Sequence, residues 1–288
     1  MPKEQLLRHS RRLSPDESGI LLDLTPEAAG WDLIRFSVRQ LARGYVWSGQ
    51  TGAEEACLVL LEGTCRVTWG GAESYLLGPR PSVFERYPEA VYLPAGFRFT
   101  VRAEERCEIA DCRAPSTMAP QPRIIRGEDA GLEIRGGGNA TRQIVDILPP
   151  DFPADRLLIC EVFTPGGNWS SYPPHKHDVD NPPDEVDLEE TYYFRMRDRD
   201  GYAFQRIYTA DGSMDETWKV EHGDLLTVRE GYHPFVTAFG YDAYYLNVLA
   251  GSRRSMAASD DPRYARFRKS WPPPDSRMPM LQRPNRGA

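Results

Sequence analysis

Apolar positions along this chain come in short runs broken by glycine and proline, and the runs have the length of strands. Between residues 20 and 112 these include W-D-L-I-R-F-S-V-R-Q-L, A-C-L-V-L-L-E-G-T-C-R-V-T-W, A-V-Y-L-P-A-G and F-R-F-T-V-R-A, with turns supplied by Gly63, Gly70, Gly71, Gly78 and Gly96. A polar stretch carrying three prolines, Arg113 to Arg123, reads as a linker. A second series follows, with R-L-L-I-C-E-V-F-T-P, E-T-Y-Y-F-R-M, Y-A-F-Q-R-I-Y-T, T-W-K-V, D-L-L-T-V and A-Y-Y-L-N-V-L-A-G. Helix is expected only around Pro2 to Leu13 and in Asp261 to Ser270. The expectation is an all-β protein of two strand-rich domains, 1–122 and 123–288.

The two series share a rhythm. L-V-L-L-E-G-T-C-R-V followed by V-Y-L-P-A-G is echoed by E-T-Y-Y-F followed by L-T-V-R-E-G-Y-H, as a duplicated barrel would produce. The tail from Ser270, S-W-P-P-P-D-S-R-M-P-M-L-Q-R-P-N-R-G-A, holds too much proline for a helix or a central strand. It reads as a loose end, or as an arm anchored on a neighbouring subunit by Trp271 or Met280.

Composition narrows the function. The 288 residues carry a formal net charge of −7, which argues against a nucleic-acid partner. No stretch suits a signal peptide or a membrane span, and the five cysteines lack zinc-type spacing, so a reducing, cytoplasmic setting is expected.

The chemistry concentrates after residue 168. His175 and His177 form an H-x-H pair, whose imidazoles share one face of a strand because side chains alternate with period two. Lys176 between them is expected to face away. Glu190 opens an aromatic strand in phase with Tyr192 and Phe194, whereas its neighbour Glu189 falls on the other face. His233 follows a glycine turn in G-Y-H-P. His175, His177, Glu190 and His233 make a donor set for a borderline divalent ion. By the same reading His222, in E-H-G-D, is a solvent-exposed turn residue.

The segments N-W-S-S-Y-P-P-H-K-H-D, L-E-E-T-Y-Y, F-Q-R-I-Y-T, D-E-T, G-Y-H-P and Y-Y-L-N-V-L-A-G resemble the 5-deoxy-glucuronate isomerase family. S-V-F-E-R at Ser82 and I-L-P at Ile147 extend the likeness over most of the chain. The resemblance implies a bicupin, two jelly-roll β-barrels, acting in myo-inositol catabolism. It places the family's metal ligands on His175, His177, Glu190 and His233; such a donor set accepts zinc or manganese, with iron or nickel as alternatives. It also implies an aldose–ketose isomerisation of 5-deoxy-D-glucuronate to 2-deoxy-5-keto-D-gluconate. The first half has no histidine after His9, so its barrel is expected to lack a metal site.

Within that reading, the substrate carboxylate calls for an arginine. Arg206, placed mid-strand, is the first candidate for a catalytic and substrate-binding role, and Arg142 the second. Tyr245 shares a face with Asn247, where it lines a cavity or belongs to the core. Glu190 and Tyr192 complete the catalytic set. The base that carries the proton is left open among Asp178, Glu185 and Tyr192, and a hydride shift needs none. Alternatives are a ketol-isomerase of another uronate, a non-haem iron dioxygenase, a sugar-acid sensor and a storage protein. A small sugar acid is the expected partner, with no nucleic acid, no membrane and a homo-oligomeric assembly.

Overall fold

A computed structural model describes residues 6–71 and 73–285. The chain divides into two compact units, each described here by itself. The carboxy-terminal unit gathers Gly131–Pro150 and Leu158–Met280 together with the strand Leu7–His9; the amino-terminal unit gathers Ser10–Ala130, Asp151–Leu157 and the chain from Leu281 onward. Both are antiparallel β-structures closed round an apolar core, as the strand-length runs lead one to expect.

The duplicated rhythm is a duplicated topology. In the carboxy-terminal unit the main sheet runs, strand by strand, Asp224–Val228, Leu188–Met196, Ala243–Gly251, Leu158–Thr164 and Arg142–Leu148, with Gly131–Arg135 beyond the last. In the amino-terminal unit Ala90–Leu93, Glu54–Trp69, Cys107–Pro115, Arg35–Leu41 and Gly19–Leu24 follow in the same relative order. Each sheet is then extended by a strand from elsewhere in the chain. Leu7–His9 pairs with Asp224–Val228, and Arg123–Ile125 pairs with Ala90–Leu93.

These edge strands shift the expected domain limits of 122 and 123. An exposed edge leaves N–H and C=O groups unpaired, and covering it satisfies them. Arg123–Ile125 therefore belongs with the amino-terminal unit, and Leu7–His9 with the carboxy-terminal one. The same pairing replaces part of the helix expected over Pro2 to Leu13. Leu7 stands opposite Leu226 and His9 opposite Asp224, so a vacant edge overrides a weak local preference for helix; positions 2–5 lie outside the described residues. Within Asp261 to Ser270 the chain forms only a short 3-10 helix, Ala265–Lys269. One helical turn, Pro26–Ala29, escapes sequence patterning; Thr25 caps it and Pro26 opens it.

A second sheet closes the carboxy-terminal barrel, with Trp169–Ser170, Phe235–Thr237, Tyr202–Tyr208 and Asp215–Glu221 in order. Tyr192, Phe194, Phe235 and Tyr245 interlock in its core, the rings of Phe194 and Phe235 stacked at 5.5 Å. The expected linker from Arg113 is partly strand, since Cys107–Pro115 runs into it. The tail is not a loose end. Residues 273–277 are stitched to their own barrel: Gly138 N donates to Pro273 O, Asp275 N to Thr141 Oγ1, and Arg277 to Asn168 Oδ1. All five cysteines are buried and unpaired.

Candidate metal centre and substrate cavity

His175 lies on a two-residue strand, His175–Lys176, paired with Ser259–Asp260. His177 follows it and is buried. The ring of His175 comes within 4.8 Å of the His233 ring, centroid to centroid, and that of His177 within 5.0 Å. Glu190 reaches the same point from the Leu188–Met196 strand, in phase with Tyr192 and Phe194 of the core. Glu190 is buried, while Glu189 is partly exposed.

Among the described residues, His177, Glu190 and His233 form the one set whose donor atoms lie close enough to share an ion, all within 4.8 Å of one another. His175 stands just outside this set and faces the same cavity.

Each imidazole is oriented by main chain. His177 Nδ1 lies 3.0 Å from Leu188 O, His233 Nδ1 2.9 Å from Gly231 O, and His175 Nδ1 3.3 Å from Pro173 O. A carbonyl can only accept, so Nδ1 carries the hydrogen in each ring, and in a neutral imidazole Nε2 is then left with a lone pair to present inward. Burial pushes the His175 and His233 imidazoles down to about 3, which keeps both neutral and able to donate that pair. His177 moves the other way: burial disfavours its charged form, but the Glu190 carboxylate, 3.0 Å from its Nε2, more than offsets this.

The donor set fits a divalent cation. His233 Nε2 is wholly buried and makes no hydrogen bond, although Glu190 Oε2 lies 3.3 Å away. An orphaned buried nitrogen beside a carboxylate is costly without an electrophile between them.

The cluster opens into a cavity of about 600 Å³, walled by Arg135, Arg142, Asp184, Asp260 and Arg268 besides His175, His177 and Glu190. Comparison with known proteins matches residues 6–267 to the KduI/IolB family.

The chain belongs to the KduI/IolB family. A relative from Geobacillus kaustophilus called 5-deoxy-glucuronate isomerase is 46% identical over 250 residues, spanning 86% of this chain and 91% of the relative. The crystal structure of an IolB-like protein from Salmonella typhimurium LT2 superposes with a TM-score of 0.87 at 38% identity, covering 91% of this chain and 98% of that one. An oxalate decarboxylase of Bacillus subtilis shares the fold at 14% identity, TM-score 0.61, covering 88% of this chain and 79% of the other. The fold of this family member is thus a bicupin.

Of the arginines expected to meet a carboxylate, this KduI/IolB chain brings Arg142 to the cavity and leaves Arg206 outside it. Along Tyr202–Tyr208 the inward positions are Ala203, Gln205 and Ile207, so Arg206 projects from the outer face. There it forks onto Asp215 at 2.7 and 2.6 Å and stacks over Tyr208. The charge in mid-strand is explained by solvent and a cross-strand partner. Arg142 is 3% exposed and donates to Tyr172 O at 2.9 Å and Ala140 O at 3.3 Å. Among the described residues it has no carboxylate partner, and burial pushes its pKa down to about 10.

Tyr192 and Tyr245 are core residues, the Tyr192 ring 6.0 Å from that of His233. Tyr192 OH lies 3.1 Å from Ser171 Oγ, and Tyr245 OH bonds Ser170 Oγ. Burial raises both phenols, Tyr245 to about 12, which makes them donors rather than bases. Asp178 and Glu185 turn away from the cluster and hold Lys176. The carboxylate of that loop that does line the cavity is Asp184, one residue before Glu185. Sequence reading missed it, together with Arg135, Asp260 and Arg268; an insertion rich in Pro, Asn and Asp has no periodicity from which facing is read. His222 is partly buried, its Nδ1 3.2 Å from Met196 O, and not fully exposed as expected.

Among the described residues no helix is long and apolar enough to cross a membrane.

Proposed function

We propose that this KduI/IolB family member is a 5-deoxy-glucuronate isomerase, converting 5-deoxy-D-glucuronate to 2-deoxy-5-keto-D-gluconate with a divalent ion held by His175, His177, Glu190 and His233. The observation that carries the reading is the pairing, in one cavity, of a buried imidazole–carboxylate cluster with a buried guanidinium that has no carboxylate of its own. A sugar acid presents both complementary groups: vicinal oxygens for the cluster and a carboxylate for the arginine. The names of the curated relatives agree with this. The donor set suits zinc or manganese.

When bound, such an ion polarises the aldehyde and lowers the pKa of the adjacent hydroxyl. The remaining work belongs to the chain. Arg142 binds the substrate carboxylate and fixes which end of the sugar faces the histidines. The carbonyls of Leu188, Gly231 and Pro173 keep the imidazoles aimed inward. Asp184, at the cavity wall, takes the proton from the hydroxyl-bearing carbon and returns it to the former aldehyde carbon, while the hydroxyl proton passes to the aldehyde oxygen.

The test is proton NMR of 5-deoxy-D-glucuronate in heavy water, before and after chelation. Conversion that is abolished by chelator and restored by one divalent ion supports the reading. Deuterium at the new methylene supports the proton route through Asp184, and its absence indicates a hydride shift. Oxygen uptake on substrate addition would turn the assignment toward a dioxygenase.

A further inference from the structure

The loop that leads into Arg142 packs against the carboxy-terminal segment. Arg142 reaches the cavity from the strand Arg142–Leu148, and the loop before it reads Gly136-Gly137-Gly138. These glycines are demanded by contact. A Cβ on Gly137 would lie 2.0 Å from Pro272 O, and one on Gly136 2.0 Å from Ala140 O. Gly136 and Gly138 also hold positive φ, 89° and 51°. The loop is therefore shaped to receive Trp271 and Pro272, and Gly138 N seals the junction through Pro273 O at 2.9 Å.

Trp271 is placed for its ring face. Its indole Nε1 is buried without a hydrogen-bond partner. The Arg142 guanidinium lies 6.0 Å from the ring centroid and that of Arg268 5.6 Å. The two cations differ in what else holds them. Arg268 is forked onto Asp260, both contacts 2.6 Å, so its charge is already met. Among the described residues Arg142 is otherwise held by two main-chain oxygens alone. An aromatic face attracts a guanidinium without neutralising it, which leaves the charge available to an incoming anion.

Resting on the isomerase reading above, we propose that Trp271 is a positioning residue that gives the enzyme its preference for a sugar bearing a carboxylate, by holding Arg142 charged and unpaired at the cavity wall. The proline-rich tail then acts on the cavity through Arg142 rather than as a trailing end.

The experiment compares kcat and KM for 5-deoxy-D-glucuronate and for 5-deoxy-D-glucose, its neutral counterpart, in wild type, Trp271→Ala, Trp271→Phe and Arg142→Met. Trp271→Ala is expected to raise KM for the acid about tenfold while kcat stays within about twofold. Its kcat/KM for the neutral sugar should not change, and Trp271→Phe should recover most of the loss. An unchanged KM for the acid, or equal losses on both sugars, overturns the proposal, the second because it marks a general structural role. A normal KM for the acid in Arg142→Met removes the carboxylate site itself, and the proposal falls with it. If Trp271→Ala does not fold, Gly137→Ala displaces the tail with the indole intact and must raise the same KM. If the wild type turns over neither sugar, the isomerase reading fails, and calorimetric binding of D-glucuronate to the same variants tests the clamp alone. Equal affinity in wild type and Trp271→Ala overturns it.

Discussion

Lys176 Nζ lies 2.7 Å from Glu185 Oε1, on the side of its strand opposite the imidazoles of His175 and His177. The residue between two candidate ligands thus ties down the loop that follows them. Glu185 Oε1 also accepts from Asp178 N at 2.9 Å and Val179 N at 3.0 Å, and Asp178 Oδ2 accepts from Gly231 N in the turn before His233. One network links the H-x-H strand, the inserted loop and the third histidine.

Because Glu185 is buried, removing its charge leaves the Lys176 ammonium with Asp178 alone and weakens the two main-chain bonds that Glu185 Oε1 accepts. Glu185→Gln is expected to lower stability by about 2 kcal/mol, read as a fall in the urea midpoint. It should also weaken metal binding, since the loop and the His233 turn share the network. A midpoint equal to wild type would show that the network contributes nothing to the fold.

His233→Ala removes the orphaned nitrogen. The expected outcome is loss of bound metal by elemental analysis and a drop in activity of at least about a hundredfold. Added metal at about 100 times Kd should stabilise the metal-free wild type by about 2.7 kcal/mol and leave His233→Ala unmoved. Equal thermal shifts in both proteins would exclude His233 as a ligand.

The two arginines should behave oppositely. Arg206→Ala is expected to keep kcat/KM within about twofold, because its partner Asp215 is solvent-exposed and such pairs contribute little. Arg142→Met should raise KM for the acid about tenfold to a hundredfold, the loss of a charge-assisted hydrogen-bonded pair. Steady-state kinetics on both variants decides between them.

Glycine is needed in the amino-terminal barrel at Gly63, where the long strand Glu54–Trp69 bends. Its φ is +90°, and a Cβ would lie 2.1 Å from Arg106 O. Gly44 has a similar φ of +81° but nothing within 4 Å of a Cβ. Gly63→Ala should therefore cost about 3 kcal/mol or more, and Gly44→Ala only about 1 kcal/mol of backbone strain. Chemical denaturation of the pair separates steric clash from conformational strain.

Several features were legible before any coordinates. Strand-length apolar runs announced the all-β fold, and their repetition anticipated two sheets with the same strand order. Period-two alternation placed His175 and His177 on one face, Lys176 on the other, and Glu190 in phase with Tyr192 and Phe194. These are local facts, set by the geometry of a single strand.

Arg206 shows where such reasoning stops. Alternation tells which residues share a face of a strand, but not which face turns inward; that depends on the sheet packed against it. For Tyr202–Tyr208 the inward face carries Gln205, whose side chain bonds His233 O, and Arg206 is left outside. The amino-terminal helix fails for a related reason, since the free edge beside Asp224–Val228 lies more than 200 residues away in the chain.

By itself, then, the sequence determined the class of fold, its duplication and the facing of each side chain within its own strand, because these follow from local periodicity and turn chemistry. The tertiary structure decided which arginine meets the cavity, that Asp184 rather than Glu185 lines it, and that Trp271 folds back on the Gly136–Gly138 loop. Those are contacts between segments far apart in sequence, and their partners are chosen by packing and hydrogen-bond satisfaction across the whole barrel.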